Sequence, residues 1–325
     1  MGKLQHIIET QQFDLKTLNE LFNLTEKIAD ILKREKTGKV KKEEIRKLKT
    51  LLRGKKMISL FYEPSTRTRA SFEIAMRTLG GEVIFSTENA QQFSSAAKGE
   101  TLEDTIKILN LYFPDVIVLR HFEVGSAKRA SKVSECPIIN AGDGIGQHPT
   151  QALLDLYTIW QKFQKKIEGL SIAMVGDLLY GRTIRSLAYL LGKYQNITIY
   201  FVSPSILRIG QDIKDYLKCR QISFFELDDL RKIAEKVNVI YQTRIQKERF
   251  GDQVFVYKKE KEKFSISEAI LKKLPQDALI MHPLPRDSKD GELPINVDND
   301  KRAYYFIQAQ NGLFIRMALL KMILL

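Results

Sequence analysis

Five consecutive polar residues near position 65 have side chains of the types that bind phosphate: Ser65, Thr66, Arg67, Thr68 and Arg69. The apolar residues 57–62 predict a buried strand, and residues 70–79 predict a helix with one apolar face. The polar residues therefore lie in a strand-to-helix turn, where free backbone N–H groups and the helix dipole attract an anion. Hydroxyls add neutral donors, and guanidiniums match phosphate or carboxylate oxygens with paired hydrogen bonds. The pattern therefore predicts a phosphate site. The alternative is a simple helix cap, but a cap requires only one hydroxyl and would not explain the two arginines.

Other groups of polar residues follow further predicted strands. These groups are Arg120 with His121, residues 140–151 with His148 and Gln151, residues 176–183 with Arg182, residues 244–247 with Arg244 and Gln246, and residues 282–286. Ligands of open parallel sheets bind beyond the carboxyl ends of the strands, so these groups are candidates for ligand binding. A substrate carboxylate is the predicted ligand of Arg182. The glycines of residues 142–146 do not have the spacing of a dinucleotide-binding loop.

The histidines and one lysine have both structural and functional interpretations. His148 has the strongest functional signal, because a glycine-rich approach precedes it and a proline and a predicted helix follow it. His121 and His282 are predicted to be structural. Lys98 lies in a loop of small residues, 94–100, where an ordinary surface lysine is an equally good interpretation.

The predicted elements that position these residues alternate between strand and helix. Strands are predicted at 57–62, 82–86, 116–120, 137–141, 171–175, 198–202, 223–226, 239–241 and 278–281. Helices are predicted at 15–34, 41–52, 70–79, 101–111, 125–134, 150–164, 182–193, near Asp212, at 227–236 and at 312–325. This alternation favours an α/β fold with parallel sheets that are covered on both faces. The pattern restarts near His148, which predicts a domain boundary.

Composition sets limits on the class of protein. A chain of 325 residues, 44% of them hydrophobic, is long enough for two domains. The net charge of +13 raises the possibility of nucleic-acid binding, but the lysines are interleaved with glutamates and apolar residues at helical spacing, which is typical of a solvated helix face. This spacing predicts that the protein does not bind nucleic acid. Two cysteines without paired spacing predict a cytoplasmic protein. The N-terminal segment is polar and no long apolar run occurs, which predicts that the protein does not bind a membrane.

Seven motifs in order resemble the aspartate/ornithine carbamoyltransferase family over nearly the whole chain. They are residues 61–69, 98–101, 148–155, 175–183, 243–249, 282–286 and 305–314. The last three resemble the branch that uses aspartate as the acceptor. Ornithine enzymes carry a cysteine where this chain has Pro283, and the Ser-Met-Gly loop of those enzymes is absent here.

The resemblance implies two doubly wound parallel-sheet domains joined by helices. It implies a carbamoyl-phosphate domain at residues 1–147, an aspartate domain at 148–307, and a C-terminal helix, 308–325, that returns to the first domain. The implied reaction transfers the carbamoyl group of carbamoyl phosphate to L-aspartate in pyrimidine biosynthesis, without a cofactor or a metal. It also implies a homotrimer with shared active sites, and leaves open a regulatory chain or a pathway enzyme as a further partner.

The resemblance also implies a role for each site residue. Ser65, Thr66, Arg67 and Thr68 hold the phosphate, while Thr68, Arg120, His148 and Gln151 contact the carbamoyl end. Arg182, Arg244 and Gln246 bind the aspartate carboxylates, and the backbone of Pro283 and Leu284 faces the site, with a cis Leu284–Pro285 bond. Lys98, which contacts both substrates, and Ser94 come from the neighbouring subunit. The loop 87–97 departs from the family pattern in length, so Ser95 remains an alternative to Ser94.

Two alternatives to this function remain. One is a carbamoyltransferase with another amine acceptor, such as ornithine, although the basic residues Arg244, Lys247 and Arg249 disfavour a cationic acceptor. The other is a nonenzymatic scaffold of the same fold, which the presence of every main donor disfavours.

Overall fold

The structure, a computed structural model, describes residues 4–245, 260–287, 289 and 291–325. The chain divides into two compact units, Met1–Leu154 with Gln310–Leu325, and Asp155–Ala309. One parallel sheet has four strands and the other has five. The predicted α/β fold with two parallel sheets is therefore confirmed.

The described strands follow one another in the predicted order, and two of the helices, Ala90–Phe93 and Glu268–Lys273, were not predicted. The strands are β1 (Lys56–Phe61), β2 (Glu82–Thr87), β3 (Val116–His121), β4 (Ile138–Asp143), β5 (Ser171–Val175), β6 (Thr198–Val202), β7 (Ser223–Leu227), β8 (Val239–Gln242) and β9 (Leu279–Met281). The helices are α1 (Leu15–Lys36), α2 (Lys42–Lys49), α3 (Thr66–Thr78), α4 (Ala90–Phe93), α5 (Leu102–Asn110), α6 (Ser126–Val133), α7 (Pro149–Lys162), α8 (Arg182–Leu191), α9 (Gln211–Cys219), α10 (Glu268–Lys273) and α11 (Tyr305–Leu324). None of these helices has the length and hydropathy that crossing a membrane requires.

The sheet of the first unit has the strand order β2-β1-β3-β4. Alternate strand residues such as Ile58, Leu119 and Ile138 pack against α5 and α6, and the apolar core on this face is fully buried. The chain moves from β1 to β2 on one side and then returns to β3 on the other side. This reversal is a topological switch point, and it opens a crevice at the carboxyl ends of β1 and β3, where α/β proteins bind ligands.

The second unit repeats this arrangement with the strand order β7-β6-β5-β8-β9. Its core joins alternate residues of the central strands, including Val175, Val202 and Ile240, to Ala234 and Ile270. The chain runs outward from β5 through β6 to β7 and then returns to β8 on the other side of β5. The switch point therefore lies between the ends of β5 and β8, and those ends lead to Arg182 and Arg244.

The C-terminal helix α11 returns to the first unit, as predicted. The guanidinium of Arg316 lies over the ring of Phe72 in α3, with 5.1 Å between the guanidinium carbon and the ring centroid. Met317, Leu319 and Leu320 are fully buried. The helix is apolar around most of its circumference, which is typical of a helix enclosed in a core.

Three predicted helices differ markedly from the structure. Helix α3 begins at Thr66 rather than at residue 70, because its first turn is polar and does not show the apolar periodicity. The predicted helix 227–236 is replaced by the 3₁₀ turns Leu230–Lys232 and Ala234–Lys236, where the Asp229 carboxylate accepts the N–H of Arg231. Helix α11 begins seven residues earlier than residue 312, at Tyr305.

Candidate functional site

The predicted phosphate site lies in the first turn of α3. Ser65 is the N-cap residue, and its hydroxyl makes no capping hydrogen bond to the helix. The N–H groups of Thr66, Arg67 and Thr68 have no acceptor within the helix, because they belong to its first turn. These three N–H groups and the positive end of the helix dipole form a seat for an anion.

Only one of the two neighbouring guanidiniums is available to a ligand. Arg67 is exposed and has no ion pair among the described residues, and partial desolvation lowers its pKa without removing its charge. The guanidinium of Arg69 lies 3.0 Å from the Ser86 hydroxyl, 3.4 Å from a Glu73 carboxylate oxygen and 3.2 Å from a Glu88 carboxylate oxygen. The interpretation of both arginines as phosphate ligands is therefore corrected, because Arg69 is held by internal partners.

Glu88 stabilises the turn that forms the anion seat, a role that the sequence did not indicate. One oxygen of its carboxylate accepts the backbone N–H of Ser65 at 2.8 Å, and the other accepts from Arg69. The contact arises because Leu60 of β1 pairs with Thr87 of β2, so that Glu88 emerges beside the residues after β1. Residues 65 and 88 are distant in sequence, and only the strand register brings them together.

We expect Arg69→Met to weaken the fold rather than remove a substrate contact. The change leaves the carboxylates of Glu73 and Glu88 without their cation, and we expect the free energy of unfolding to fall by about 1–3 kcal/mol. Urea denaturation measures this effect. The matched control is Arg129→Met, which removes a more exposed arginine from two carboxylates and should cost about 0–1 kcal/mol. Unchanged stability with loss of turnover would instead assign Arg69 to the substrate.

Arg120 lies at the other side of the same crevice. It pairs with Phe61 in the register of β1 and β3, so it neighbours the strand end that leads into Ser65. Its guanidinium donates to the carbonyl oxygen of Ala141 at 3.3 Å and lies 3.4 Å from a carboxylate oxygen of Glu63. These contacts fix the largely buried side chain at the carboxyl end of the sheet.

His148 is buried at the start of α7. Its carbonyl oxygen accepts the N–H groups of Gln151 and Ala152 at 3.0 and 3.1 Å, which makes it the residue that begins the helix. One ring nitrogen, Nδ1, lies 3.5 Å from the Thr150 hydroxyl. The side chain of Gln151 is partly exposed in the first turn of α7. The sequence correctly placed both residues at the N-terminus of a helix that follows β4.

The glycine-rich approach to His148 has a structural cause. Gly144 has a φ of +51°, and a Cβ atom there would lie 2.3 Å from the carbonyl oxygen of Phe122. The Asp143 carboxylate accepts the N–H groups of Gln147 at 2.7 Å and Gly125 at 2.9 Å. The glycines therefore allow a tight turn that positions the histidine, consistent with the absence of a nucleotide-binding spacing.

The segment of Lys98 forms a 3₁₀ turn, Ser95–Lys98, directly after α4. The Ser94 hydroxyl donates to the Ala90 carbonyl at 2.6 Å and accepts the N–H of Ala96 at 3.2 Å, whereas the Ser95 hydroxyl has no partner among the described residues. Lys98 is exposed and forms no ion pair within the described part of the chain. No hydrogen bond or ion pair among the described residues joins Lys98 to residues 65–68.

The switch point of the second unit carries the two predicted arginines. Arg182 is the first residue of α8, and Arg244 follows β8, whose Gln242 pairs with Val175 at the end of β5. The tight turn after β5 needs Gly176, because a Cβ atom there would lie 2.5 Å from the Thr243 carbonyl oxygen and its φ is +119°. Arg244 is exposed and has no ion pair among the described residues. Gln246 lies outside the described residues.

A third loop of the second unit follows β9. The backbone N–H of Leu284 donates to Nδ1 of His282 at 2.8 Å, and the N–H of His282 donates to the side-chain oxygen of Gln308 at 2.9 Å. The Leu284–Pro285 peptide bond is cis, as the resemblance implied. Arg286 is held by both carboxylate oxygens of Asp298 at 2.6 Å. His282 therefore has the predicted structural role of shaping the turn at Pro283 and Leu284.

Each unit thus presents groups of a different chemistry. The first unit offers N–H groups, hydroxyls and guanidiniums that suit a phosphate and a carbonyl oxygen. The second unit offers two guanidiniums that suit carboxylates, together with the backbone of the turn after β9.

The two halves of the chain match the two domains of one family. Residues 5–161 match the carbamoyl-P binding domain of aspartate/ornithine carbamoyltransferase, and residues 168–323 match the Asp/Orn binding domain. The rice (Oryza sativa subsp. japonica) protein "Aspartate carbamoyltransferase, chloroplastic" is 52% identical over 322 residues, which cover 99% of this chain and 85% of the relative. The Methanocaldococcus jannaschii "Aspartate carbamoyltransferase catalytic subunit" is 44% identical over 318 residues, which cover 98% of this chain and 97% of the relative.

Solved structures have the same fold. The catalytic subunit of M. jannaschii aspartate transcarbamoylase aligns with a TM-score of 0.86 at 44% identity and covers 98% of both chains. Aspartate transcarbamoylase from Trypanosoma cruzi, in complex with N-(phosphonacetyl)-L-aspartic acid, aligns with a TM-score of 0.87 at 36% identity and covers 99% of this chain and 97% of that chain.

Proposed function

Because the chain belongs to the aspartate/ornithine carbamoyltransferase family, we propose how its residues perform the reaction of the aspartate-specific members. The chain transfers the carbamoyl group of carbamoyl phosphate to L-aspartate, which gives N-carbamoyl-L-aspartate and phosphate in pyrimidine biosynthesis. The observation that carries this assignment is the similarity to plant and archaeal aspartate carbamoyltransferases over 98–99% of this chain. The anion seat of α3 and Arg244, which has no ion pair among the described residues, support it.

The first turn of α3 holds the phosphate group of carbamoyl phosphate in this proposal. The Ser65 hydroxyl, the N–H groups of Thr66, Arg67 and Thr68, and the Arg67 guanidinium donate to its oxygens. A charged donor is stronger than a neutral one, so Arg67 supplies the largest share. Lys98 and a serine, Ser94 or Ser95, complete the seat from a neighbouring subunit.

The carbonyl oxygen of the carbamoyl group becomes negatively charged when the amine attacks. Thr68, Arg120 and His148 donate to this oxygen, and Gln151 binds the carbamoyl amide. Donors that are already in place stabilise the transition state without reorganising, and loss of one typically costs about 3 kcal/mol. Arg120 and His148 suit this role because buried contacts fix both of them.

The aspartate carboxylates bind to Arg182, Arg244 and Gln246. Both substrates are anions, so their mutual repulsion must be offset by surrounding cations. The departing phosphate accepts a proton of the attacking amine, which makes a dedicated protein base unnecessary. Positioning of the two substrates supplies much of the remaining rate acceleration.

The assembly that we propose is a homotrimer in which Lys98 reaches the site of a neighbouring subunit. Large apolar side chains near this segment are exposed: Phe85 is 45%, Phe93 is 77% and Tyr112 is 59% exposed. Phe85, Tyr112, Ser94 and Ser95 are among the residues that line a cleft of about 530 Å³. Exposed apolar surface of this extent is typical of a protein interface, which supports placing a second subunit against the Lys98 segment.

The expected cytoplasmic location stays a prediction. The plant relatives are named as chloroplastic proteins, whereas the archaeal relatives are not. A regulatory chain or a pathway enzyme likewise remains an expectation from the resemblance.

A comparison of acceptors tests the function directly. We expect the purified protein, supplied with carbamoyl phosphate, to form carbamoylated product with L-aspartate and none with L-ornithine. The physical reason is that Arg182 and Arg244 attract the second carboxylate of aspartate and repel the ammonium group of ornithine. Product with ornithine alone would keep the phosphate site and refute the acceptor, and no product with either would favour a nonenzymatic scaffold.

A further inference from the structure

The carboxylate of Asp155 is fully buried behind the turn formed by residues 282–284. One of its oxygens accepts the hydroxyl of Tyr241 at 2.6 Å, and the other accepts the side-chain N–H of Gln308 at 2.6 Å. Burial and the adjacent carboxylate raise the pKa of Tyr241 well above its usual value, so the hydroxyl stays protonated and remains a donor. A buried carboxylate needs such donors, because burying it without them is very costly.

Asp155 determines the orientation of the Gln308 amide. Since the amide nitrogen faces the carboxylate, the amide oxygen faces the other way and accepts the backbone N–H of His282 at 2.9 Å. Nδ1 of His282 then accepts the N–H of Leu284 at 2.8 Å. A continuous series of hydrogen bonds therefore leads from Asp155, through Gln308 and His282, to Leu284.

Because of these hydrogen bonds, the only backbone groups that Pro283 and Leu284 can offer a ligand are hydrogen-bond acceptors. Pro283 has no N–H group, and the N–H of Leu284 is used by His282. The carbonyl oxygens of Pro283 and Leu284 accept no hydrogen bond from the described residues. The turn can therefore offer a ligand two carbonyl oxygens, and these complement the N–H groups of an amine or an amide.

We propose that Asp155 is a positioning residue that, through Gln308 and His282, holds the carbonyl oxygens of Pro283 and Leu284 toward the N–H groups of the reacting amine. Tyr241 gives the carboxylate a second anchor on β8, the strand that leads to Arg244. The inference rests on the proposed function, because it assigns the turn to the acceptor amine. It differs from a purely structural role because the loss of the network should affect turnover more than phosphate binding.

The test compares three variants of the 325-residue chain. Gln308→Met keeps the length of the side chain but removes both hydrogen bonds, and we expect kcat to fall about a hundredfold because small errors in substrate orientation have effects of that size. Tyr241→Phe removes one donor from Asp155 and should lower kcat about tenfold. Tyr216→Phe is the control, since its hydroxyl donates to the Tyr189 carbonyl at 2.9 Å in the same unit and its kcat should be unchanged.

Inorganic phosphate serves as the probe for damage outside the turn. Its affinity, measured by calorimetry, should be the same in all three variants, because the phosphate seat belongs to the other unit. Thermal unfolding identifies any variant that does not fold, and Tyr241→Phe keeps the test valid if Gln308→Met is such a variant.

Two results would overturn the inference. One is a wild-type kcat in folded Gln308→Met or, if that variant does not fold, in Tyr241→Phe. The other is a loss of kcat that is matched by an equal loss of phosphate affinity, which would indicate general damage. Failure of the wild-type protein to carbamoylate aspartate would refute the proposed function instead, so the two failures are distinguishable.

Discussion

Arg67→Ala is expected to lower kcat/KM for carbamoyl phosphate by about a thousandfold, the upper range for loss of one donor to a developing charge. The guanidinium has no internal partner among the described residues, so its removal leaves no carboxylate unpaired and should not affect stability. Among residues 65–68, Arg67 alone has a charged side chain. Steady-state kinetics with saturating aspartate measure the effect.

The control for this variant removes the same charge at the opposite edge of the sheet. Arg53 is exposed, has no ion pair among the described residues and precedes β1, whereas Arg67 follows that strand. We expect Arg53→Ala to retain wild-type kinetics. Comparable losses in both variants would mean that net charge, rather than a contact in the site, explains the effect of Arg67. Full activity of Arg67→Ala would refute its assigned role.

Lys98→Ala is expected to lower kcat/KM for carbamoyl phosphate by about a hundredfold or more while the homotrimer that we propose stays intact. The lysine is exposed and has no ion pair within the described chain, so its ammonium group is available to substrates in a neighbouring site. Light scattering checks the assembly, and steady-state kinetics check the turnover. Full activity of this variant, or dissociation of the trimer, would contradict the assigned role.

Mixing two inactive variants tests whether the site is shared. In a cyclic trimer, each Lys98 side chain serves one neighbour, so a site that combines Arg67 of one chain with Lys98 of the next is complete. An equal mixture of Arg67→Ala and Lys98→Ala should recover about a quarter of wild-type activity, because about three in four trimers are mixed and about one site in three of these is complete.

The matched control pairs two variants whose residues belong to the same chain. Arg67 and Arg120 flank one crevice of the first unit, so every site in a mixture of Arg67→Ala and Arg120→Ala lacks one of them. This mixture should stay inactive. Recovery in the control, or none in the test mixture despite demonstrated subunit exchange, would refute a site shared through Lys98.

Most of the elements could be predicted from the sequence, because their signals are local. Strands β5 and β6 have the predicted bounds, Ser171–Val175 and Thr198–Val202, since short apolar runs flanked by polar residues mark buried parallel strands. The predicted start of α3 was wrong because its first turn, from Thr66, is polar and lacks the apolar periodicity of a helix. The predicted helix 227–236 was wrong because the Asp229 side chain accepts a backbone N–H and so favours a turn over a helix.

The residues with candidate functions were also predictable, but their partners were not. Arg67 and Arg69 have the same side chain and almost the same position in sequence, yet the register of β1 with β2 brings Glu88 to Arg69, and Arg67 has no ion pair within the described part of the chain. Gln308 similarly lies far from both Asp155 and His282 along the chain. Such pairs depend on contacts between distant segments, for which a local pattern carries no signal.

The sequence by itself therefore determined the class of fold, and it predicted the anion-binding chemistry and the residue types that we propose for it. Strand order and register decided where these groups meet: at the ends of β1 and β3 in one unit, and at the ends of β5 and β8 in the other. The physical reason is that a side chain's chemistry and the tendency of a short segment to form helix or strand are local properties. Which side chains pair and which stay available to a ligand depends on long-range packing, which only the tertiary structure fixes.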